Sequence, residues 1–208
     1  GFRSDQKVNW TFPEKTHSEK HLWISQWITG DYWDLYKVPR HMRPAMPTKL
    51  KDRLHLLQNE LPLLNKRHRW LTVRDAISDL PNPRTELKAS KKYANHEYRG
   101  GARSYVGHTG SPWDEPAKAL KAGDHGVPGG ENMLRHKNGK VRYFTIRESA
   151  RLQTFPDDYI IEGAWTEGMR QLGNAVPVSL GEIIGESIYK KLHPITPQSK
   201  NLSSVGKP

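Results

Sequence analysis

The sequence predicts an α+β fold in which helices flank a middle section of short strands and loops. Three observations carry this. Two Thr-led helix-start signatures, at Thr72 and Thr145, each place an acidic residue three positions on. Residues 84–140 are Gly-rich, with short apolar pieces and no helical period. Near the C-terminus, Val178 to Leu192 puts Leu180, Ile183, Ile184 and Ile188 on one stripe and Glu182, Glu186 and Lys190 opposite.

In chain order, Gly1-Phe-Arg-Ser-Asp5 reads as the end of a strand, and Asn9 to Pro13 as extended chain. Ser18 is placed to cap a helix through Trp23 and Trp27, whose i, i+4 spacing puts both rings on one face before Gly30 ends it. Pro39, Pro44 and Pro47 mark a loop, followed by an expected helix from Thr48 to Leu57. Thr72-Val-Arg-Asp75 has the form of a capping box opening a helix to Leu80, closed by Pro81-Asn-Pro83. Thr145, with Glu148, opens another helix that Pro156 is expected to stop after three turns. Gly173 is expected to supply a tight turn, and Asn174 a polar tip at the entrance of the last helix. The tail from His193 is polar and Pro/Ser-bearing, the composition of a disordered terminus.

Composition sets limits. The 208 residues have a mean hydropathy of −0.82, but seven Trp and eight Tyr supply burial that keeps the chain out of the disordered class. No apolar run approaches the ~20 residues of a membrane span. With no cysteine there are no disulfides and no thiolate metal sites. The first residue is Gly1 rather than Met and reads as a cut. Net charge is +11, and Lys37 to Arg103 holds 16 Lys or Arg against 6 Asp or Glu. A basic stretch with Tyr and Trp interleaved suits either a polyanion or a solvated face. His17-Ser-Glu-Lys-His21 falls short of the zinc protease signature: Glu19 is one place late and no third ligand follows, so no metal is expected.

Two segments remain. In the first, Arg142-Tyr-Phe-Thr-Ile-Arg-Glu-Ser-Ala-Arg-Leu-Gln-Thr-Phe-Pro-Asp157, a helix would put Arg147 and Arg151 on one face with Glu148 able to pair with Arg151, an arrangement that holds phosphate or locks neighbouring loops. The second is Gln171-Leu-Gly-Asn-Ala-Val-Pro177 ahead of the apolar helix. Together they resemble the ninth and tenth signature motifs of the DNA cytosine-5 methyltransferases. The resemblance extends, in family order, over residues 1–192. His17 and Ser18 fit the Pro-x-x-Thr-His-Ser stretch that often follows the eighth motif, and Ser111 to Gly130 resembles the second recognition loop. There the chain has Ala119-Leu120 where the family generally carries Thr-Leu, which removes a hydroxyl available to the DNA backbone.

The resemblance implies a target recognition domain over 1–141 with an N-terminal helical segment, a ninth- and tenth-motif helical segment over 142–192, and a disordered tail over 193–208. It implies that Arg147, Glu148, Arg151, Gln153, Gln171 and Gly173 are structural. Asn174, Ala175 and Val176 would line the S-adenosylmethionine pocket, and the terminal helix would pack on a Rossmann-like cofactor domain. Duplex DNA would meet the recognition loops at Arg99, Arg103, Lys118, Lys121, Asp124, His125 and Gly126. Arginine bidentate to guanine is the commonest specific base contact, and glycines let the backbone approach base edges.

What the family places ahead of this segment is absent from these residues: the Gly-rich cofactor loop, the Pro-Cys nucleophile, the Glu-Asn-Val acid and the Arg-rich eighth motif. The reaction implied is methyl transfer to carbon 5 of a flipped cytosine, with the thiolate and acid supplied by a catalytic N-terminal domain or subunit. The family type implies a cytoplasmic bacterial or phage protein. A stand-alone non-catalytic DNA-binding module and an inactive remnant are the alternative readings.

Overall fold

The computed structural model describes residues 3, 5, 8–58, 67–122 and 130–193. It divides into two compact units, Lys15–Val178 and a smaller one of Gly1–Glu14 with Ser179–Pro208. Helices and small sheets together make it α+β.

The larger unit opens with strand β1 (His17–Ser18), which leads directly into α1 (Glu19–Trp27). Ser18 occupies the N-cap position of α1 without a side-chain cap bond, and α2 (Asp31–Leu35) starts from Gly30 at φ 84°. β1 pairs in parallel with β2 (His68–Arg69), His17 opposite His68. Leu22, Tyr32, Trp33 and Val38 form one buried cluster, with Trp27 packed against it. Ile24, Leu50 and Leu57 form a second, against which both Trp23 and Trp27 pack, as their spacing predicts.

The helix expected over Thr48–Leu57 is broken. α3 covers Thr48–Lys51, a turn follows at 52–53, and helix resumes at 54–58. The cause is local: Arg53 N bonds to Leu50 O at 3.1 Å, a tightened i−3 bond that ends the α-ladder.

The main core joins α4 (Val73–Ile77) to a three-stranded sheet and two further helices. The sheet order is β3-β4-β5, with β3 (Ser111–Pro112) parallel to β4 (Met133–Arg135) and β4 antiparallel to β5 (Val141–Tyr143). Gly139, at φ 78°, closes the β4–β5 turn. Leu134, Phe144, Ile146, Ala150, Ile161, Met169 and Leu172 are buried together with Val73 and Ile77. A single helical turn, α5 (Leu87–Ser90), interrupts the stretch read as loop and strand. Glu86 precedes it, and its carboxylate accepts from Asn82 N at 2.7 Å.

Both capping boxes are present. Thr72 and Asp75 bond reciprocally at the start of α4, and Thr145 and Glu148 at the start of α6 (Ile146–Leu152). α6 has seven residues, about two turns rather than the expected three, and Pro156 is not what stops it. Thr154 takes a left-handed φ of 58°, and Phe155 N turns back to Ala150 O at 2.9 Å.

A larger correction concerns α7 (Trp165–Asn174). Gly173 and Asn174 form its last turn; they are neither a tight turn nor a helix entrance. The glycine is there for packing. A methyl on it would lie 2.6 Å from Lys121 C and 2.9 Å from Ala122 Cα, with Ala122 N closer still.

The smaller unit contains nearly all of α8 (Val178–Leu192), as predicted. None of the α8 residues is buried, and Leu180 and Ile183 of the stripe are 48% and 42% exposed. Trp10 Nε1 donates to Ser187 Oγ at 2.9 Å. The expected strand over 1–5 and, apart from His193, the tail expected over 193–208 fall largely outside the described residues.

Candidate functional site

α6 is a scaffold whose charged side chains point into protein. Arg147 is 1% exposed and donates to three carbonyl oxygens: Ala94 at 3.0 Å, Pro156 at 3.1 Å and Tyr159 at 2.9 Å. Burial lowers its pKa from the ordinary arginine value, an effect that the carboxylate of Asp157 opposes. Arg151 makes a bidentate pair with Asp157 at 2.8 and 2.6 Å and also reaches Asp79 at 2.6 Å. Of the two possibilities, the arginines lock neighbouring loops. Glu148 does not pair with Arg151. It accepts two bonds from Arg142, at 2.7 and 2.6 Å, because the cap holds its carboxylate at the N-terminal end of the helix, beside Thr145 N at 2.9 Å.

Gln153 joins α6 to the end of α7. Its Nε2 donates to Leu172 O at 2.8 Å and Ala175 O at 3.5 Å, and its backbone carbonyl accepts from Val178 N at 3.0 Å. These bonds fix the turn at Asn174, Ala175 and Val176, where Asn174 is exposed and Val176 is 62% exposed. Gln171 is exposed and bonds to Glu162 O and Glu167.

The loop positions are outward-facing. Arg99 and Arg103 are exposed, and Arg99 lies over the Trp165 ring at 5.5 Å. Gly101 and Gly107 adopt left-handed φ values, and Tyr105 and His108 bond across a tip made of Val106, 98% exposed, and Gly107. Lys118 and Lys121 are exposed; Lys118 N donates to Ser111 Oγ, and Lys121 Nζ pairs with Glu131 at 3.2 Å. Asp124, His125 and Gly126 lie outside the described residues. His17 sits in β1 and His21 in α1, so the pair does not share a helix, and no group able to hold a metal occurs among the described residues.

Sequence reasoning missed three features. Asn132, 0% exposed, brackets Lys121: its Oδ1 accepts from Lys121 N at 3.2 Å and its Nδ2 donates to Lys121 O at 3.1 Å. A polar network ties α2 to α4: Tyr32 donates to Asp114 at 3.0 Å, Arg74 holds Asp114 at 2.6 Å, and Asp75 takes Arg69 and Tyr36. Burial works to raise the pKa of Asp75, but hydrogen bonds from Arg69, Tyr36 and Thr72 outweigh it and bring it down to about 2. Finally, a groove of about 1320 Å³ is lined by Trp23, Trp27, Trp70, Trp113 and Arg135, among others. Of its four Trp only Trp70 lies in the basic stretch Lys37–Arg103, so no local pattern marked it.

The family model of the C-5 cytosine-specific DNA methylase matches residues 1–190. The chain belongs to this family. Among its relatives, the Type II methyltransferase M.MthTI of Methanothermobacter thermautotrophicus is 31% identical over 180 residues, covering 76% of this chain and 54% of the relative. M.NgoFVII of Neisseria gonorrhoeae is 45% identical over 178 residues, covering 85% of this chain and 40% of the relative. M.Eco47II of Escherichia coli is 37% identical over 98 residues, 47% of this chain and 22% of that one. The chain thus spans about half, or less, of the length of these relatives. Members of this family use S-adenosylmethionine and act on DNA. No helix among the described residues is long and apolar enough to cross a membrane.

Proposed function

We propose that this chain is the target-recognition and pocket-closing portion of a DNA cytosine-5 methyltransferase. Its recognition part is 1–141 and its ninth- and tenth-motif segment is 142–192. The observation that carries this reading is the division of labour among the cations. Arg142, Arg147 and Arg151 are all taken up by carboxylates and carbonyls that hold α6 to its loops. Arg99, Arg103 and Lys118 are exposed on loops, and Lys121 stays 61% exposed while pairing with Glu131, so a duplex can reach all four.

The turn at 174–176 fits the cofactor chemically. Asn174 offers an amide that can donate and accept, and Val176 offers exposed apolar surface for a ring or thioether. S-adenosylmethionine, when bound, supplies an electrophilic methyl group. This chain would orient it through Asn174, wall it with Ala175 and Val176, and exclude water on that side. The loops would read the duplex from the major groove and hold it while the target cytosine is extruded. With no cysteine among the 208 residues, the thiolate that adds to carbon 6 belongs to a catalytic N-terminal partner. The exposed Leu180 and Ile183 on α8 favour such a partner over a stand-alone DNA-binding module.

The test is binding to a duplex carrying the methylated site, against a scrambled duplex at fixed salt. Arg103→Ala should cost the site-bearing duplex about 1–3 kcal/mol and the scrambled one much less. Lys88 is an exposed cation of α5 read as meeting phosphate only, so Lys88→Ala should weaken both alike. Equal losses on both duplexes for Arg103→Ala would reduce that arginine to electrostatic background.

A further inference from the structure

This inference rests on the recognition reading and concerns how the two surfaces communicate. We propose that Asn132 and Gly173 are positioning residues that couple the DNA-facing loop to the cofactor-side turn. The root of that loop is Leu120–Ala122, with Leu120 buried in the main core. Its backbone is held by the Asn132 amide, which bonds both Lys121 N and Lys121 O. Gly173 lies against the same backbone, so close that a Cβ there would meet Lys121 C at 2.6 Å and Ala122 Cα at 2.9 Å. Gly173 is followed at once by Asn174, Ala175 and Val176, and Gln153 clamps Leu172 O and Ala175 O on either side of it.

The atoms meeting across this junction are backbone on the loop side and Cα on the helix side. Side-chain rotation therefore cannot absorb a shift; a displaced loop root must move the end of α7 or lose the contact. A duplex that engages Lys118 or Lys121 and displaces this root thereby changes the geometry of Asn174 to Val176. By linkage, a ligand seated on that turn changes duplex affinity by the same factor.

Two measurements test this. Hydrogen exchange on the 208-residue chain needs no ligand. Asn132→Asp removes the donor to Lys121 O and should accelerate exchange several-fold in a peptide covering 118–122 and in one covering 172–178. Acceleration at 118–122 with 172–178 unchanged, or no acceleration in either, overturns the coupling. In the enzyme reconstituted with its catalytic fragment, the probe is S-adenosylhomocysteine, titrated with and without a duplex that the wild type methylates. The wild-type ratio of affinities should be about 5-fold or more. Gly173→Ala should bring the ratio to near one. A wild-type ratio near one, or a ratio that survives Gly173→Ala, overturns the proposal. If the chain binds no duplex at all, the recognition reading falls, and the exchange measurement still decides the coupling.

Discussion

Arg147→Met isolates the role of the buried guanidinium in α6. Methionine keeps much of the aliphatic stem, so the change is mainly the loss of three charge-assisted bonds to Ala94, Pro156 and Tyr159 carbonyls. Hydrogen bonds from charged groups are each worth about 1.5–3 kcal/mol. Two effects reduce the sum: the variant no longer buries a cation, and the three carbonyls belong to exposed residues where water can replace the lost donors. The expected net loss is about 3 kcal/mol, read as a lower urea midpoint at constant m-value by tryptophan fluorescence. Because Arg147 reaches no phosphate in this account, the salt dependence of duplex binding should be unchanged. A stability loss below about 0.5 kcal/mol, or a salt slope reduced by about one, would refute the reasoning.

Two further predictions follow from the same structure. The folded-state pKa of Asp75, about 2, lies below its unfolded value, so its contribution to stability is present in full above about pH 4 and is lost as pH falls towards 2; the gap in melting temperature between wild type and Asp75→Asn should shrink over that window, and a constant gap down to pH 2.5 contradicts the assignment. Ile184→Asp, on the α8 stripe, should abolish co-purification with a catalytic fragment bearing the first eight motifs while leaving duplex affinity largely intact; unimpaired co-purification removes α8 from that interface.

What could be read in the sequence was local. The capping boxes at Thr72 and Thr145 are four-residue signals, and both form. The α8 stripe is a periodicity, and it too is present. What failed depended on tertiary contacts. α7 was not foreseen, and Gly173 was read as a tight turn; yet Gly168 and Gly173 each sit where a methyl would strike a neighbour, Ile146 in one case and Lys121–Ala122 in the other. Arg147 and Arg151 share the spacing of a surface ion-pair face, and only the packing of Ala94, Pro156 and Tyr159 around Arg147 distinguishes it. Asn132 sits in a Gly-rich stretch with no pattern to mark it, and its bonds to Lys121 span 11 positions. For the site, the ninth motif marked the helix that becomes the α6 scaffold, while the partner of Glu148 was misassigned to Arg151 because Arg142 lies before the helix.

The central claim is that this chain reads DNA for a methyl transfer whose nucleophile it does not carry. Incubating the purified chain with tritiated S-adenosylmethionine and mixed-sequence duplex, with and without a catalytic fragment bearing the first eight motifs, tests it directly. The account predicts label on cytosine carbon 5 only when both polypeptides are present. Labelled cytosine from the chain alone would contradict it.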